Sequence, residues 1–133
     1  MNSNFRSYDG FFEQSLAEIN PALADNLAVI AELLPLEADL ALGVILGFAC
    51  DSTHDRLLVL VRNVIKAIPK DWLINRIEAV AENTVNFEDE WEYRRLLYFY
   101  DLIDPALVER LALRGLKSSN FEVIEIANDH LAP

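Results

Sequence analysis

Shifted by 34 residues against itself, the chain aligns residues 72–97 with residues 106–131. Leu73 then meets Leu107, Arg76 meets Arg110, and Leu97 meets Leu131. The tripeptide Asn86-Phe87-Glu88 meets Asn120-Phe121-Glu122. Ile74 and Ile77 fall on Val108 and Leu111. A second echo links Asn20-Pro21-Ala22-Leu23 to Asp104-Pro105-Ala106-Leu107. Each unit has room for two helices. One such pair cannot bury its apolar face alone, so the units must stack on one another. The fold class this predicts is all-α: a right-handed stack of antiparallel helix hairpins, a short α-solenoid of seven or eight helices.

The hydrophobic periodicity is helical almost throughout, with no alternating run and no Asn-Gly or Asp-Gly hairpin signal. Phe12, Leu16 and Ile19 share one face of a first helix. Asn20-Pro21 reads as a cap and a first-turn proline opening a second helix, with Leu23, Leu27, Ile30 and Leu34 inward and Pro35 at its end. A third helix, 36–50, is apolar nearly all round and should be central. Its Gly43 and Gly47 have the spacing that lets another helix approach closely. The apolar run 40–50 would extend only ~16 Å as a helix, about half a bilayer core. In the fourth helix Leu57, Val61, Val64, Ile65 and Ile68 point inward, and Arg62 and Lys66 outward. Pro69 opens a fifth helix with Leu73, Ile77 and Val80 inward. A turn over 83–87 precedes helices at 88–103, 105–117 and 120–131. Every connection is short, so successive helices should be antiparallel neighbours. The expected organisation is one all-helical domain over 1–133. Irregular N-terminal helices fill 1–50, and repeat units fall at about 36–68, 70–103 and 104–131.

The last unit resembles a known family. Leu116-Lys-Ser-Ser-Asn-Phe-Glu-Val123-Ile-Glu-Ile-Ala127-Asn-Asp-His-Leu131 is similar to the second half of a HEAT repeat, with Val123 and Ala127 in place and Ile124 where the family often has Arg. The likeness covers about 70–133 and implies a stacked helix-hairpin fold used for protein binding. Glu92-Tyr-Arg-Arg-Leu-Leu97 followed by Gly115-Leu-Lys-Ser-Ser119 is similar to small acidic helical immunity proteins of bacterial toxin systems. That resemblance transfers no specific binding residue.

Charge narrows the function classes. There are 22 acids against 11 bases, a net charge of −11. A non-specific nucleic-acid binder of this size would be basic, and anionic membrane surfaces repel such a chain. Residues 7–55 hold nine acids and no Lys or Arg, and residues 56–70 hold four bases and no acid. Residues 71–133 hold thirteen acids and six bases. Blocks like these steer an oppositely charged partner, or simply keep an apolar helical protein soluble. The lone Cys50 forms no internal disulfide, and Met1-Asn2-Ser3-Asn4-Phe5-Arg6 lacks a leader pattern, so the expected location is cytoplasmic.

The helix at 88–103 carries the candidate site. Tyr93, Leu96, Leu97, Tyr100 and Ile103 form its core face. Trp91, Arg95, Tyr98 and Leu102 lie opposite, with Arg94 at the edge. Trp, Tyr and Arg are the residues most enriched at binding hot spots. That face is either an interaction surface or a second buried face between layers. Glu88, Asp89, Glu90 and Glu92 crowd the helix start. The helix dipole accounts for one or two of them, and the excess suggests an acidic patch meeting a basic partner. The expected partner-binding residues are therefore Glu88, Asp89, Glu90, Trp91, Glu92, Arg94, Arg95 and Tyr98.

Elsewhere the residues read as structural. Ser52 and Asp55 have capping-box spacing, so Ser52, His54 and Asp55 read as a helix start rather than a catalytic cluster. His130 suits a helix C-terminus. Cys50 reads as a buried small side chain. No phosphate loop, GxSxG, HExxH or paired CxxC occurs, so no catalytic residue, cofactor or metal is expected. The function this favours is a non-enzymatic protein–protein interaction module, monomeric or weakly homodimeric. Its sharper form is an immunity protein that neutralises a basic toxin. The alternatives are a structural or homo-oligomeric scaffold subunit, or a helical-repeat enzyme without a recognisable motif.

Overall fold

A computed structural model describes residues 12, 14–51 and 55–132 of the chain. All regular structure among the described residues is helical. A short helix α1 covers 14–19. Then follow α2 (Ala22–Asp25), a 3-10 helix (Leu27–Glu32), α3 (Pro35–Asp51), α4 (Asp55–Ala67), α5 (Lys70–Thr84), α6 (Glu90–Ile103), α7 (Pro105–Gly115) and α8 (Phe121–Leu131).

The second helix expected from the sequence is two pieces. Asn26 is extended (φ −155°, ψ 106°), and its side chain accepts from Ala28 N. A short polar side chain that bonds its own backbone competes with helix continuation. The break turns the apolar spacing out of phase, and Leu34, expected inward, is 71% exposed. Pro35 does not end this segment but is the first residue of α3. Its missing N–H is one that a helix start leaves unpaired anyway.

The later boundaries follow their caps. Asp89 accepts from Trp91 N and Glu92 N and starts α6. Pro105 starts α7 after the extended Asp104. Asn120 starts α8 by accepting from Glu122 N at 2.9 Å.

Helix α3 is the hub, as its all-round apolarity predicts. It packs against α4, α5, α6 and the 3-10 helix. Ala41, Leu42, Ile45, Leu46 and Ala49 have no exposure, and Phe48 meets Phe12 edge-on at 5.0 Å. Its first turns are less covered, with Leu36 and Leu40 exposed. Helix α6 is a second hub, contacting α3, α4, α7 and α8. This modifies the expected chain of successive neighbours. Pairs α3–α4, α6–α7 and α7–α8 pack closely, whereas among the described residues α4–α5 and α5–α6 do not, and α5 and α6 both lie against α3. The apolar α3 offers each of them more surface to bury than their own amphipathic neighbours do.

Arg76 and Arg110, 34 residues apart, have a common use. Arg76 on α5 holds Asp39 on α3 through two donors, with Nε to Oδ1 at 3.1 Å. Arg110 on α7 holds Glu78 on α5, with Nε to Oε2 at 3.0 Å and Nη2 to Oε1 at 2.9 Å. Arg114 pairs with Glu82 one turn further on. Each arginine thus reaches a carboxylate on a helix earlier in the chain. Pairs this exposed contribute ~0–1 kcal/mol, against roughly 1.5–3 kcal/mol for burying one Leu or Ile. Burial therefore stabilises the stack, and the ion pairs help set which turns face each other.

The close approach expected at Gly43 and Gly47 occurs elsewhere. A Cβ on Gly43 would stand 3.5 Å from Thr84 Oγ1, an ordinary contact, and one on Gly47 would meet nothing within 4 Å among the described residues. At Gly115 a Cβ would overlap the Tyr93 hydroxyl and stand 2.8 Å from Ala127 Cβ. Tyr93 Oη donates to Leu111 O at 2.9 Å, tying α6 to α7. Burial pushes this phenol up to about 12. Gly115 is therefore the tight crossing of α6, α7 and α8.

Candidate functional site

Helix α6 presents its two faces as its spacing predicts. Tyr93, Leu96, Leu97, Phe99, Tyr100 and Ile103 are buried. Trp91 and Tyr98 are 42% and 43% exposed, so the outer stripe faces solvent and is not a second core face. They lie two turns apart, ~10 Å along the axis. Arg95 lies over the Trp91 ring with its guanidinium carbon 4.4 Å from the centroid. Tyr98 meets Phe99 edge-on at 5.1 Å. Leu102 and Arg95 are half-buried and flank the stripe, and Arg94 is exposed.

The four acids at the start of α6 all have partners within the molecule. Asp89 is the N-cap. Glu92 Oε1 accepts from Asn86 N at 3.1 Å. Glu90 pairs with Arg94 one turn on, at 3.3 Å. Glu88 stitches the turn before α6 to the turn before α8. It accepts from Ser119 N at 2.8 Å and from the Ser118 and Ser119 hydroxyls, and its carbonyl accepts from Asn120 Nδ2 at 2.8 Å. The Ser118 hydroxyl and then the Ser119 groups hold the Glu88 carboxyl below its usual range. A carboxylate so lowered is a poor general base at neutral pH.

The acids that crowd one another are on α6 and α8 instead. A hydrogen bond that protonated Glu122 donates to the Glu90 carboxylate, then the Glu90 charge, raises the Glu122 carboxyl above its usual value, with Glu125 adding to the effect. Sequence reasoning passed over Glu122, because its clash with Glu90 exists only once α6 and α8 lie side by side. Glu122, Glu125 and Asp129 form an exposed acidic stripe on α8 at 3- and 4-residue spacing. On α4, Val59 and Lys66 are exposed and Arg62 is half-buried, again at 3- and 4-residue spacing. Arg62 and Arg95 each bury Nε without a hydrogen-bond partner, and among the described residues no carboxylate pairs with either.

A cleft of about 260 Å³ lies between the two stitched turns, lined by Phe87, Glu88, Tyr93, Arg114, Lys117 and Ser118 among others. Arg114 stacks on Phe87 at 3.6 Å while holding Glu82, so its charge is already engaged. Among the described residues no group of three or more His, Cys, Asp or Glu could hold a metal ion. No described helix is long and apolar enough to cross a membrane. His130 Nδ1 donates to Ile126 O at 3.1 Å at the end of α8. Cys50 is buried. Ser52 and His54 lie outside the described residues, and with them the capping-box reading. Set against protein-family models, curated proteins and solved structures, the chain matches none.

Proposed function

We propose that this chain is a non-enzymatic protein-interaction module that docks a basic protein partner on the exposed face of α6. The carrying observation is the Trp91–Tyr98 stripe, two large aromatic rings more than two-fifths exposed on a helix whose opposite face is core. Aromatic anchors of this kind supply most of the energy at hot spots. Glu90, Asp101 and the α8 stripe supply the negative field that speeds encounter with a basic surface. Glu88, Asp89 and Glu92 serve instead to build the turn that presents the stripe.

The architecture we infer is a short HEAT-like α-solenoid, a right-handed stack of antiparallel helices in which α7 and α8 form a close hairpin while α5 and α6 meet through α3. The repeat-equivalent pairs Arg76–Asp39 and Arg110–Glu78 support it. In the sharper form of this reading, the module is a cytoplasmic immunity protein that neutralises a basic toxin.

Co-expression with the product of the adjacent gene tests the proposal. A basic product should co-purify with the wild-type chain. Trp91→Ala or Tyr98→Ala should weaken that complex by ~2 kcal/mol or more, while changing folding stability by less than ~1 kcal/mol. A complex indifferent to both substitutions refutes the docking surface. A large stability loss would show that the stripe is part of the core.

A further inference from the structure

Helices α4 and α8 each pack on α6 but not closely on one another, and α4 packs also on α3 and α8 on α7. The α8 flank adjoins Glu90 and carries Glu122, Glu125 and Asp129, with no Lys or Arg anywhere in the helix. The α4 flank carries Arg62 and Lys66, in a stretch of 56–70 that has four bases and no acid. With α4 and α8 bordering the stripe on its two sides, the surface would run from basic through aromatic to acidic.

We propose that, in the absence of another partner, a second copy of this chain occupies the surface through a two-fold axis along α6. A surface basic on one side and acidic on the other is self-complementary under that rotation, as an isologous interface requires. Turning the second copy over about α6 lays its acidic α8 on the first copy's basic α4, and the reverse. Trp91 then meets Trp91 of the second copy, and Tyr98 meets Tyr98. Arg62, without a carboxylate partner among the described residues, would gain an acceptor from the opposing α8. Each copy's net charge of −11 opposes pairing, but exposed charges beyond ~8–10 Å are largely screened at physiological salt. The near contacts decide. This inference rests on the reading of α6 as a docking surface and adds that self-pairing competes with the basic partner for it.

Sedimentation at about 100 µM protein in physiological salt tests it, with charge-swapped variants. Wild type should sediment as a dimer. Lys66→Glu alone, and Glu125→Lys with Asp129→Lys, should each raise the dimer dissociation constant about tenfold or more, because like charges then face each other twice. Mixing the two variants one to one should restore a dimer, since both contacts become attractive. Trp91→Ala should weaken the wild-type dimer about 30-fold. All the substituted side chains are exposed, and circular dichroism confirms that the variants fold. A monomeric wild type, or a mixture no tighter than its components, overturns the self-pairing. If the wild type is monomeric while Trp91→Ala still abolishes co-purification of a basic partner, the docking surface stands and only the self-pairing fails. A dimer unmoved by Trp91→Ala and by the swaps overturns both at this face.

Discussion

Asn86-Phe87-Glu88 and Asn120-Phe121-Glu122 are the same tripeptide 34 residues apart, each just before a helix, yet they do opposite things. In both, the Asn side chain accepts from the N–H two residues on, at 3.0 and 2.9 Å. There the likeness ends. Helix α8 begins directly at Phe121, whereas α6 waits for Asp89 to cap it and begins at Glu90. Phe87 is half-buried under Arg114, and Phe121 is 74% exposed. Glu88 meets two serine hydroxyls and is held below its usual range, whereas Glu122 meets Glu90 and is held above it. The first turn leans on the serines of the turn before α8, whereas the glutamate of the second faces Glu90 and Glu125, with Arg94 opposing them. Identical local chemistry is thus redirected by what the next helices bring within reach.

The largest expected effect probes the crossing beside the first turn. Gly115→Ala should destabilise the fold by ~1–3 kcal/mol in urea titration, because the added methyl overlaps Tyr93 and Ala127. Gly47→Ala, in open space within α3, should instead stabilise by ~0.5–1 kcal/mol through helix propensity. If both glycines respond alike, the close approach at Gly115 is not limiting.

Next come the two phenylalanines. Phe87→Ala should cost ~1–2 kcal/mol for the apolar surface it uncovers, and Phe121→Ala less than ~0.5 kcal/mol. Equal losses would erase the contrast between the turns.

The smallest effects are electrostatic and opposite in sign. Glu88 has a folded pKa below 4.5, so it contributes stability above that value that is lost as pH falls through the folded pKa. Glu122 has a folded pKa above 4.5, so stability declines as pH rises from 4.5 through it. In thermal melts at neutral pH, Glu88→Gln should lower Tm and Glu122→Gln should raise it slightly. Below pH 4.5 the Glu122 difference should shrink, because wild type is then protonated there, and the Glu88 difference should shrink only once the pH has fallen through its lowered folded pKa. Shifts of the same sign would refute the assignment.

Much of this was legible before any helix was placed. The helical periodicity announced an all-α chain, and the spacing of Tyr93, Leu96, Leu97, Tyr100 and Ile103 named the core face of α6. Those signals are local: a helix of known period puts residues three and four apart on one side. The caps at Asp89, Asn120 and Pro105 are equally local, because each satisfies backbone groups within its own turn. What could not be read was which residues from different helices meet. What distinguishes Gly115 from Gly43 and Gly47 is the Tyr93 ring with its hydroxyl and the Ala127 methyl, which other helices deliver. Nothing tells Glu88 from Glu122 except Ser118 and Ser119 on one side and Glu90 on the other. The exposure of Trp91 and Tyr98 was open in the same way, since either face of an amphipathic helix can be covered by a neighbour. Periodicity and capping act over one or two turns and leave their mark in sequence. Contacts 18 to 37 residues apart, from Tyr93–Leu111 to Asp39–Arg76, exist only after the helices have stacked. Those contacts decide which glycine is indispensable, which carboxylate is strained, and which aromatic pair is left facing solvent.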